Sequence, residues 1–230
     1  MGGGRSFKGG NDDRAERATF MIAVVDYGMG NLRSVQKALE QAGDTVVVTS
    51  DPGEVRSAER VVVPGVGAFK DAMNSLGRLG LITPLLEAIE GGKPYLGICL
   101  GMQILMTESE EFGPHKGLRV IRGRVSRLPD TAGKIPHVGW NRVNVRKNSP
   151  LLKMQDDGGY FYFVHSYYTI PDDHDVWAGA TKYGVEFCSL LWKDNIFATQ
   201  FHPEKSQERG LQILRRFVQW HGQKEPLPCS

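Results

Sequence analysis

Residues 95–103 read YLGICLGMQ, an apolar run that passes through two glycines and a cysteine into a differently patterned segment. The run that ends at Cys99 is typical of a buried strand. Beyond Cys99, Met102 and the apolar residues that follow have helical spacing, and this helix is expected to end at Gly113-Pro114. The sequence therefore predicts that Cys99 lies where a strand turns directly into a helix.

The two glycines that flank Cys99 have the spacing of a nucleophile elbow. Such a turn is sharp, and it needs small residues on both sides of a nucleophile held in a strained conformation. A cysteine at the start of a helix also meets the positive end of the helix dipole, which favours the reactive thiolate. Free cysteines are also common as small buried apolar residues, so the turn alone leaves both interpretations open.

The chain before this turn alternates short β-branched runs with amphipathic stretches. Residues 21–27 predict a strand, and residues 32–42 predict a helix that begins after Asn31 and stops at Gly43. Arg33 stands where a dinucleotide-binding GxGxxG turn needs its third glycine, which excludes that motif. The alternation predicts an α/β fold with a mostly parallel central sheet and helices on both faces.

Further strands and helices are expected on both sides of the turn. Strand-like runs cover residues 45–50 and 59–65, and a helix follows with Thr83 as its cap and Pro84 at its first position. The second half is richer in strand-like runs, some of which are expected to pair antiparallel. These runs cover residues 119–128, 160–170, 185–192 and 195–204, before a closing helix at 211–221.

The length of 230 residues fits one substantial core and is too short for two typical domains. Residues 21–222 are expected to form this single domain. Residues 1–20 are glycine-rich and polar, and we interpret them as a disordered leader or an extension before Met21; a myristoylation pattern at their start is the less favoured interpretation. Residues 223–230 are expected to be a tail.

The charge pattern argues against large anionic partners. The formal net charge of +2 comes from nearly balanced acidic and basic residues, which gives no strong field for nucleic acid or an anionic membrane. Four arginines in residues 119–127 lack interleaved aromatic residues, so we interpret them as the solvated face of a strand pair. No apolar run approaches membrane-spanning length. The sequence predicts no nucleic-acid partner and no membrane partner, and it favours small-molecule chemistry.

The cysteines and histidines indicate neither a disulfide framework nor a metal site. Cys99, Cys188 and Cys229 are odd in number and far apart, which fits a reducing cytoplasm. The six histidines form no HExxH motif and no other close pair with metal-ligand spacing. We therefore predict no metal and no cofactor, and we assign no role to Cys188 or Cys229.

Two remote segments supply what a nucleophilic cysteine needs. His202 and Glu204 end a strand-like run, and residues two apart on an extended segment project to the same side. A carboxylate beside the imidazole fixes its tautomer and leaves the other ring nitrogen to exchange a proton with the nucleophile. The turn PGVG at residues 64–67 follows a buried strand and can point backbone N–H groups at developing negative charge. Each segment alone is weak evidence, and the combination is specific.

With these elements together, the chain resembles the class I, or triad, glutamine amidotransferases, through LGICLGMQ at residues 96–103 and FHPEKS at residues 201–206. Within that class it resembles the glutaminase subunits of imidazole glycerol phosphate synthases over roughly residues 21–222. The segments that carry this closer resemblance are DYGMGNLRSV (26–35), PGVGAF (64–69), PHVGWN (136–141) and YFVHSYY (162–168). The resemblance implies the three-layer fold of the class and a catalytic triad. In that triad Cys99 is the nucleophile, His202 the general base and acid, and Glu204 its partner.

The resemblance also implies a substrate site and a partner face. The Leu100 N–H and the Val66 peptide would form an oxyanion hole, and glutamine would be held by Gly67, Gln103, His165, Ser166 and Tyr167. From the residues alone, Gln103 would be an ordinary solvent-facing helix residue, and the aromatic residues ordinary packing. The implied partner is a (β/α)₈-barrel cyclase subunit, faced by Asn31, Trp140 and Lys205, that receives the ammonia for histidine biosynthesis. From the residue type alone, Trp140 would be an ordinary residue of the hydrophobic core.

Three alternatives remain at this point. The first is a glutaminase of the same class that serves an anthranilate, carbamoyl phosphate or guanylate synthase, against which DYGMGN and PHVGWN argue. The second is a non-catalytic binding protein that retained the fold, against which the intact triad argues. The third is a cysteine hydrolase of γ-glutamyl peptides, which could use the same elbow and triad.

Overall fold

The computed structural model describes residues 21–222, so the predicted leader and tail lie outside the described residues. The elements up to the nucleophile turn are β1 (Met21–Val25), α1 (Leu32–Ala42), β2 (Thr45–Thr49), α2 (Pro52–Ser57), β3 (Arg60–Gly65), α3 (Phe69–Arg78), α4 (Ile82–Glu90) and β4 (Tyr95–Cys99). The later elements are α5 (Leu100–Gln103), β5 (Met106–Ser109), β6 (His115–Lys116), β7 (Ile121–Arg127), β8 (His137–Val145), β9 (Gly159–His165), β10 (Tyr167–Pro171), β11 (Trp177–Tyr183), β12 (Val185–Lys193), β13 (Ile196–Thr199) and α6 (Gln207–Gln219).

A nine-stranded mixed sheet forms the centre of the fold, with the order β2-β1-β3-β4-β13-β12-β11-β8-β9. Neighbours from β2 to β13 are parallel, and neighbours from β13 to β9 are antiparallel. A second sheet has the order β10-β7-β5-β6. The prediction of an α/β fold with an antiparallel portion is confirmed. Because β4 and β13 are parallel neighbours, their carboxyl ends lie at the same edge of the sheet.

Helices cover both faces of the central sheet, as predicted. Along β3, Val61 and Val63 face one core, and Val62 faces the other, as the period of two in a strand requires. Buried residues of α2, α3 and α4 belong to the core of Val61, and those of α1 and α6 to the core of Val62. Along residues 21–222, no helix is long and apolar enough to cross a membrane.

Helix α1 matches its prediction closely. The Asn31 side chain accepts a hydrogen bond from the Ser34 N–H at 3.4 Å, and Gly43 ends the helix with a left-handed φ of 109°. The next predicted cap was misplaced, because α4 begins at Ile82, before Thr83 and Pro84. Helices α2 and α3 were not predicted.

The predicted long helix after Cys99 is wrong. Helix α5 has four residues, and the chain then enters β5 of the second sheet. The carbonyls of Ile104, Leu105 and Met106 accept hydrogen bonds from N–H groups of residues 118–121. A continued helix would need these carbonyls for its own ladder, so pairing with a distant segment overrides the local helical spacing.

The predicted strand at residues 160–170 is two strands. It divides at Ser166 into β9, at the edge of the central sheet, and β10, at the edge of the second sheet. This break joins the two sheets beside the nucleophile turn, since Gln103 of α5 donates a hydrogen bond to the Tyr167 carbonyl.

Candidate active site

Cys99 ends β4 in a strained backbone conformation, with φ 55° and ψ −105°. Both glycines that flank Cys99 are required because other backbone atoms lie too close to allow a side chain at either position. A Cβ atom on Gly97 would lie 2.5 Å from the Gly101 carbonyl oxygen, and one on Gly101 would lie 1.7 Å from the Val63 carbonyl oxygen. The turn therefore packs directly against β3, with no room for side chains between them.

His202 and Glu204 follow β13, the parallel neighbour of β4. His202 Nδ1 lies 2.8 Å from Glu204 Oε1, and both side chains are buried. Glu204 belongs to a short 3₁₀ turn, Pro203–Lys205, so the expected extended geometry is wrong although the two side chains do meet. The Ser206 hydroxyl donates to the His202 carbonyl at 2.6 Å and accepts from the Tyr162 N–H at 3.0 Å, which ties this turn to β9.

His202 is buried between the Cys99 sulfur and the Glu204 carboxylate. Its Nε2 atom is buried and makes no conventional hydrogen bond within residues 21–222, and the Cys99 sulfur is its electrostatic partner. Burial lowers the pKa of His202, but the Cys99 sulfur and then the Glu204 carboxylate raise it, to about 10. Because α5 is a single turn with a small dipole, the main positive charge at the sulfur is His202 rather than the helix.

A cavity of about 500 Å³ opens in front of Cys99. All of the predicted oxyanion and substrate residues line it, namely Val66, Gly67, Leu100, Gln103, His165, Ser166 and Tyr167. The rest of the lining comprises Glu111, Phe112, Arg127, Ile135, Pro136 and Val164. The structure thus brings six separate sequence segments to one cavity beside Cys99.

The predicted oxyanion groups lie beside Cys99. Leu100 is the first residue of α5, so its N–H has no intrahelical acceptor. Gly65 pairs with Cys99 in the β3–β4 register, which places the Val66 peptide next along the same edge. Gly67 has a φ of 103°, which favours glycine, and a Cβ atom there would lie 2.5 Å from Met29 Cε.

Gln103 is buried rather than solvent-facing, which corrects the simple interpretation of its helix position. Its Nε2 donates to the Tyr167 carbonyl oxygen at 2.9 Å and to Gln200 Oε1 at 3.2 Å. Gln103 therefore connects the cavity wall of β10 to the chain that leads to His202.

The His165 side chain has both ring nitrogens engaged. Nδ1 lies 2.9 Å from the Tyr167 carbonyl oxygen, which can only accept, so Nδ1 carries the hydrogen. Nε2 then accepts from His137 Nδ1 at 3.0 Å. Burial, and next the neighbouring His137, lower the pKa of His165 to about 3. The ring is neutral, and both of its nitrogens already have hydrogen-bond partners. This segment therefore offers its backbone and the Ser166 side chain to a ligand.

Comparison with known proteins supports the family suggested by these motifs. The family model described as glutamine amidotransferase class-I matches residues 23–220. The imidazole glycerol phosphate synthase subunit HisH of Geobacter sulfurreducens is 54% identical over 202 residues, which are 85% of this chain and 97% of that protein. HisH of Chloroflexus aurantiacus is 48% identical over 90% of this chain and 99% of its own. The chain belongs to the HisH family of class I glutamine amidotransferases. The predicted family and enzyme class are confirmed.

Solved structures agree on the fold of this HisH family member. A crystal structure of a glutamine amidotransferase superposes with a TM-score of 0.69 at 18% identity, over 88% of this chain and 99% of that one. The structure of PurLQS from Thermotoga maritima also gives 0.69 at 18% identity, over 86% and 97% of the two chains. These likenesses carry the three-layer architecture and no further functional detail.

Two of the three predicted partner-facing residues cluster at the surface. Trp140 is 47% exposed, so the core-filling interpretation is wrong, and its ring lies 6.2 Å from that of Tyr162. Lys205 Nζ lies 6.0 Å from the centre of the same Tyr162 ring. Asn31 caps α1, a helix that packs against the Pro203–Lys205 turn.

Three site residues of this HisH family member escaped the sequence reasoning. Glu111 lines the cavity, and its Oε2 accepts from the Phe69 N–H at 2.6 Å. Gln200 is wholly buried with Nε2 3.5 Å from Cys99 Sγ, and His137 is buried behind His165. In the sequence, only its place in the alternating pattern of a strand indicates that Gln200 is buried. That pattern does not distinguish a site residue from an ordinary core residue.

Neither a metal cluster nor a second reactive thiol accompanies this site among residues 21–222. No group of three or more histidine, cysteine, aspartate or glutamate side chains is arranged to hold a metal ion. Cys188 is unpaired and wholly buried, and burial raises the pKa of its thiol well above the ordinary value. Cys188 is therefore inert as a nucleophile, and Cys229 lies outside the described residues.

Proposed function

We propose that the chain hydrolyses glutamine at Cys99 and passes the ammonia to a (β/α)₈-barrel cyclase subunit of imidazole glycerol phosphate synthase. The observation that carries this proposal is the strained Cys99 that lines the cavity, beside the buried His202–Glu204 pair. The cavity has room for an amino acid, and its lining includes polar groups from several separate segments of the chain.

The reaction begins with attack of the Cys99 thiolate on the side-chain carbonyl carbon of glutamine. The carbonyl oxygen becomes an oxyanion, which the N–H groups of Leu100 and the Val66 peptide stabilise. As the C–N bond breaks, His202 gives its proton to the departing nitrogen, which leaves as ammonia. A γ-glutamyl thioester remains on Cys99, and Glu204 keeps the imidazole oriented.

Hydrolysis of the thioester completes the cycle. His202, now neutral, takes a proton from a water molecule that attacks the thioester carbonyl. The tetrahedral intermediate collapses, the C–S bond breaks, and glutamate leaves. The same histidine is acid in the first half and base in the second, and neither half requires a cofactor.

The charges of the cavity suit a zwitterionic amino acid. Glu111 is the acidic residue of the lining, and Arg127 is its basic residue. They carry the charges opposite to the α-ammonium and α-carboxylate groups of glutamine. This complement supports glutamine over an uncharged amide as the substrate.

The ammonia product requires a receiving partner, because in bulk water at neutral pH it becomes ammonium and loses its nucleophilicity. The exposed Trp140 and Lys205, which both contact the half-buried Tyr162, fit one end of such an interface, since an aromatic anchor beside a cation is typical of binding hot spots. Asn31 extends this face. We also propose that the PGVG turn becomes correctly oriented when the liganded cyclase binds, which limits wasteful hydrolysis. A reducing cytoplasm fits the free Cys99 and Cys188.

The decisive experiment measures ammonia and glutamate from glutamine with and without the cyclase subunit and its nucleotide ligand. The wild type should release both products, faster in the presence of the liganded partner, and Cys99→Ala should release neither. Activity in the Cys99→Ala variant would remove the proposed nucleophile, and equal rates with and without partner would remove the activation. Faster cleavage of γ-glutamyl peptides than of glutamine would favour the peptide-hydrolase alternative.

A further inference from the structure

We propose that Gln200 is a positioning residue, whose side-chain N–H holds the Cys99 sulfur in place and stabilises its negative charge. The inference rests on Cys99 as the nucleophile of the proposed function. Gln200 lies on the segment between β13 and His202, is wholly buried, and brings Nε2 to 3.5 Å from Cys99 Sγ. Its backbone N–H donates to the Ser189 carbonyl at 3.0 Å, which fixes the position of its main chain.

The orientation of the Gln200 amide follows from its neighbours. The Tyr167 carbonyl can only accept, so the group of Gln103 that faces it at 2.9 Å is the NH₂. The second hydrogen of that NH₂ group points to Gln200 at 3.2 Å, so the oxygen of Gln200 must be the atom that faces Gln103. The nitrogen of Gln200 therefore faces the sulfur.

Further hydrogen bonds hold the Tyr167 carbonyl oxygen, from which the orientations of both amides follow. The Tyr167 carbonyl also accepts from His165 Nδ1, and His165 Nε2 accepts from His137 Nδ1 at 3.0 Å. His137 Nε2 in turn accepts from the Asn141 amide at 3.2 Å. Every donor in this row has one permitted direction, so the two glutamine amides cannot flip without breaking hydrogen bonds on both sides.

The chemistry of the sulfur explains why a donor at this place matters. The Val164 carbonyl oxygen lies 3.9 Å from Cys99 Sγ and accepts only from the protonated thiol. Gln200 donates, so it favours the thiolate, as His202 does by its charge. An amide does not titrate in the working pH range and cannot take the proton, so it stabilises the thiolate without competing with His202 as the base.

The test uses Gln200→Met, which keeps the approximate size and removes the donor, and Gln200→Glu, which keeps the shape and places an acceptor beside the sulfur. Gln212→Met makes the same chemical change on the exposed face of α6 and is the matched control. All variants carry Cys229→Ser, and Cys99→Ala gives the background. The first readout is the pH midpoint of Cys99 alkylation by iodoacetamide, which requires no glutamine turnover.

We expect Gln200→Met to raise the alkylation midpoint by about one pH unit, because hydrogen bonds to charged groups typically have this strength. Gln200→Glu should raise it further, and Gln212→Met should leave it unchanged. In glutamine hydrolysis with the liganded cyclase, kcat of Gln200→Met should fall about tenfold or more with little change in KM.

An unchanged alkylation midpoint in Gln200→Met overturns the proposal, even if its activity falls, because lost packing alone would account for that fall. If Gln200→Met fails to fold, an unchanged midpoint in Gln200→Glu overturns it in the same way. The shift together with no glutamine hydrolysis by the wild type would sustain the positioning role and remove the proposed function instead.

Discussion

Gly101→Ala should damage both stability and activity through one backbone contact. The added Cβ atom would lie 1.7 Å from the Val63 carbonyl oxygen, whereas real contacts of this kind are not shorter than 3.0 Å. Backbone must therefore move by about 1.3 Å, the difference between these distances. Overpacking of this kind costs about 1–3 kcal/mol, and we expect about 3 kcal/mol because no flexible side chain can give way. Val63 directly precedes the PGVG turn, so a shift near 1 Å should lower kcat about 100-fold.

The assay combines urea unfolding with glutamine hydrolysis, and Gly77→Ala serves as the control. Gly77 lies in α3, and its added Cβ atom would meet Ile82 at an ordinary 3.7 Å, so alanine should stabilise the helix by about 0.5–1 kcal/mol without changing kcat. If Gly101→Ala unfolds at the same urea concentration as the wild type and keeps its kcat, the approach of Gly101 to the Val63 carbonyl does not limit stability or activity. Equal losses in both variants would also refute the reasoning.

Three further predictions concern the triad, the buried histidines and the partner face. Glu204→Gln keeps the shape but loses the charge that orients His202, so kcat should fall about 100-fold or more while the fold survives; wild-type kcat would contradict this. Because burial lowers the pKa of His165 to about 3, between about pH 6.5 and pH 3 the unfolded chain binds a proton at this residue that the folded chain does not, and His165 should lower the unfolding free energy by about 1.4 kcal/mol per pH unit, in the same direction as His137. His165→Asn should flatten this slope in urea titrations and the exposed His174→Asn should not, and parallel slopes in all three proteins would disprove it. Trp140→Ala should weaken cyclase binding about 30-fold by calorimetry, whereas Met154→Ala, which removes an equally exposed side chain, should bind normally.

The sequence predicted those parts of the fold that depend on local physics. The cap at Asn31, the stop at Gly43 and the buried strand before Cys99 each follow from backbone geometry and apolar pattern within a few residues. The length of α5 could not be predicted in this way, because residues 118–121, far along the chain, take the carbonyls that a helix would use. The division of the strand at Ser166 likewise depends on two sheets that the local pattern does not distinguish.

The residues of the candidate site differ in the same way, in whether the local sequence identifies them. Cys99, His202 and Glu204 stand in motifs whose residue types and spacing have a chemical reason, so the sequence could name them. Gln200 and Glu111 have no such motif, and their importance depends on which atoms face them in the folded chain. The roles assigned to the triad and substrate residues stay predictions until the variants are measured.

The close approach of Gly101 to Val63 means that the two sides of the cavity differ in how readily their residues can be substituted. The side where β3 and β4 end rests on main-chain packing at Gly97 and Gly101, where no side chain can be added. The lining also includes Glu111, Phe112, Arg127 and Tyr167, whose side chains lie at or beside the second sheet. Diversification of substrate preference, by natural drift or by directed evolution, is therefore easier on the second-sheet side. A library built there can reshape the cavity while the reacting atoms keep their places.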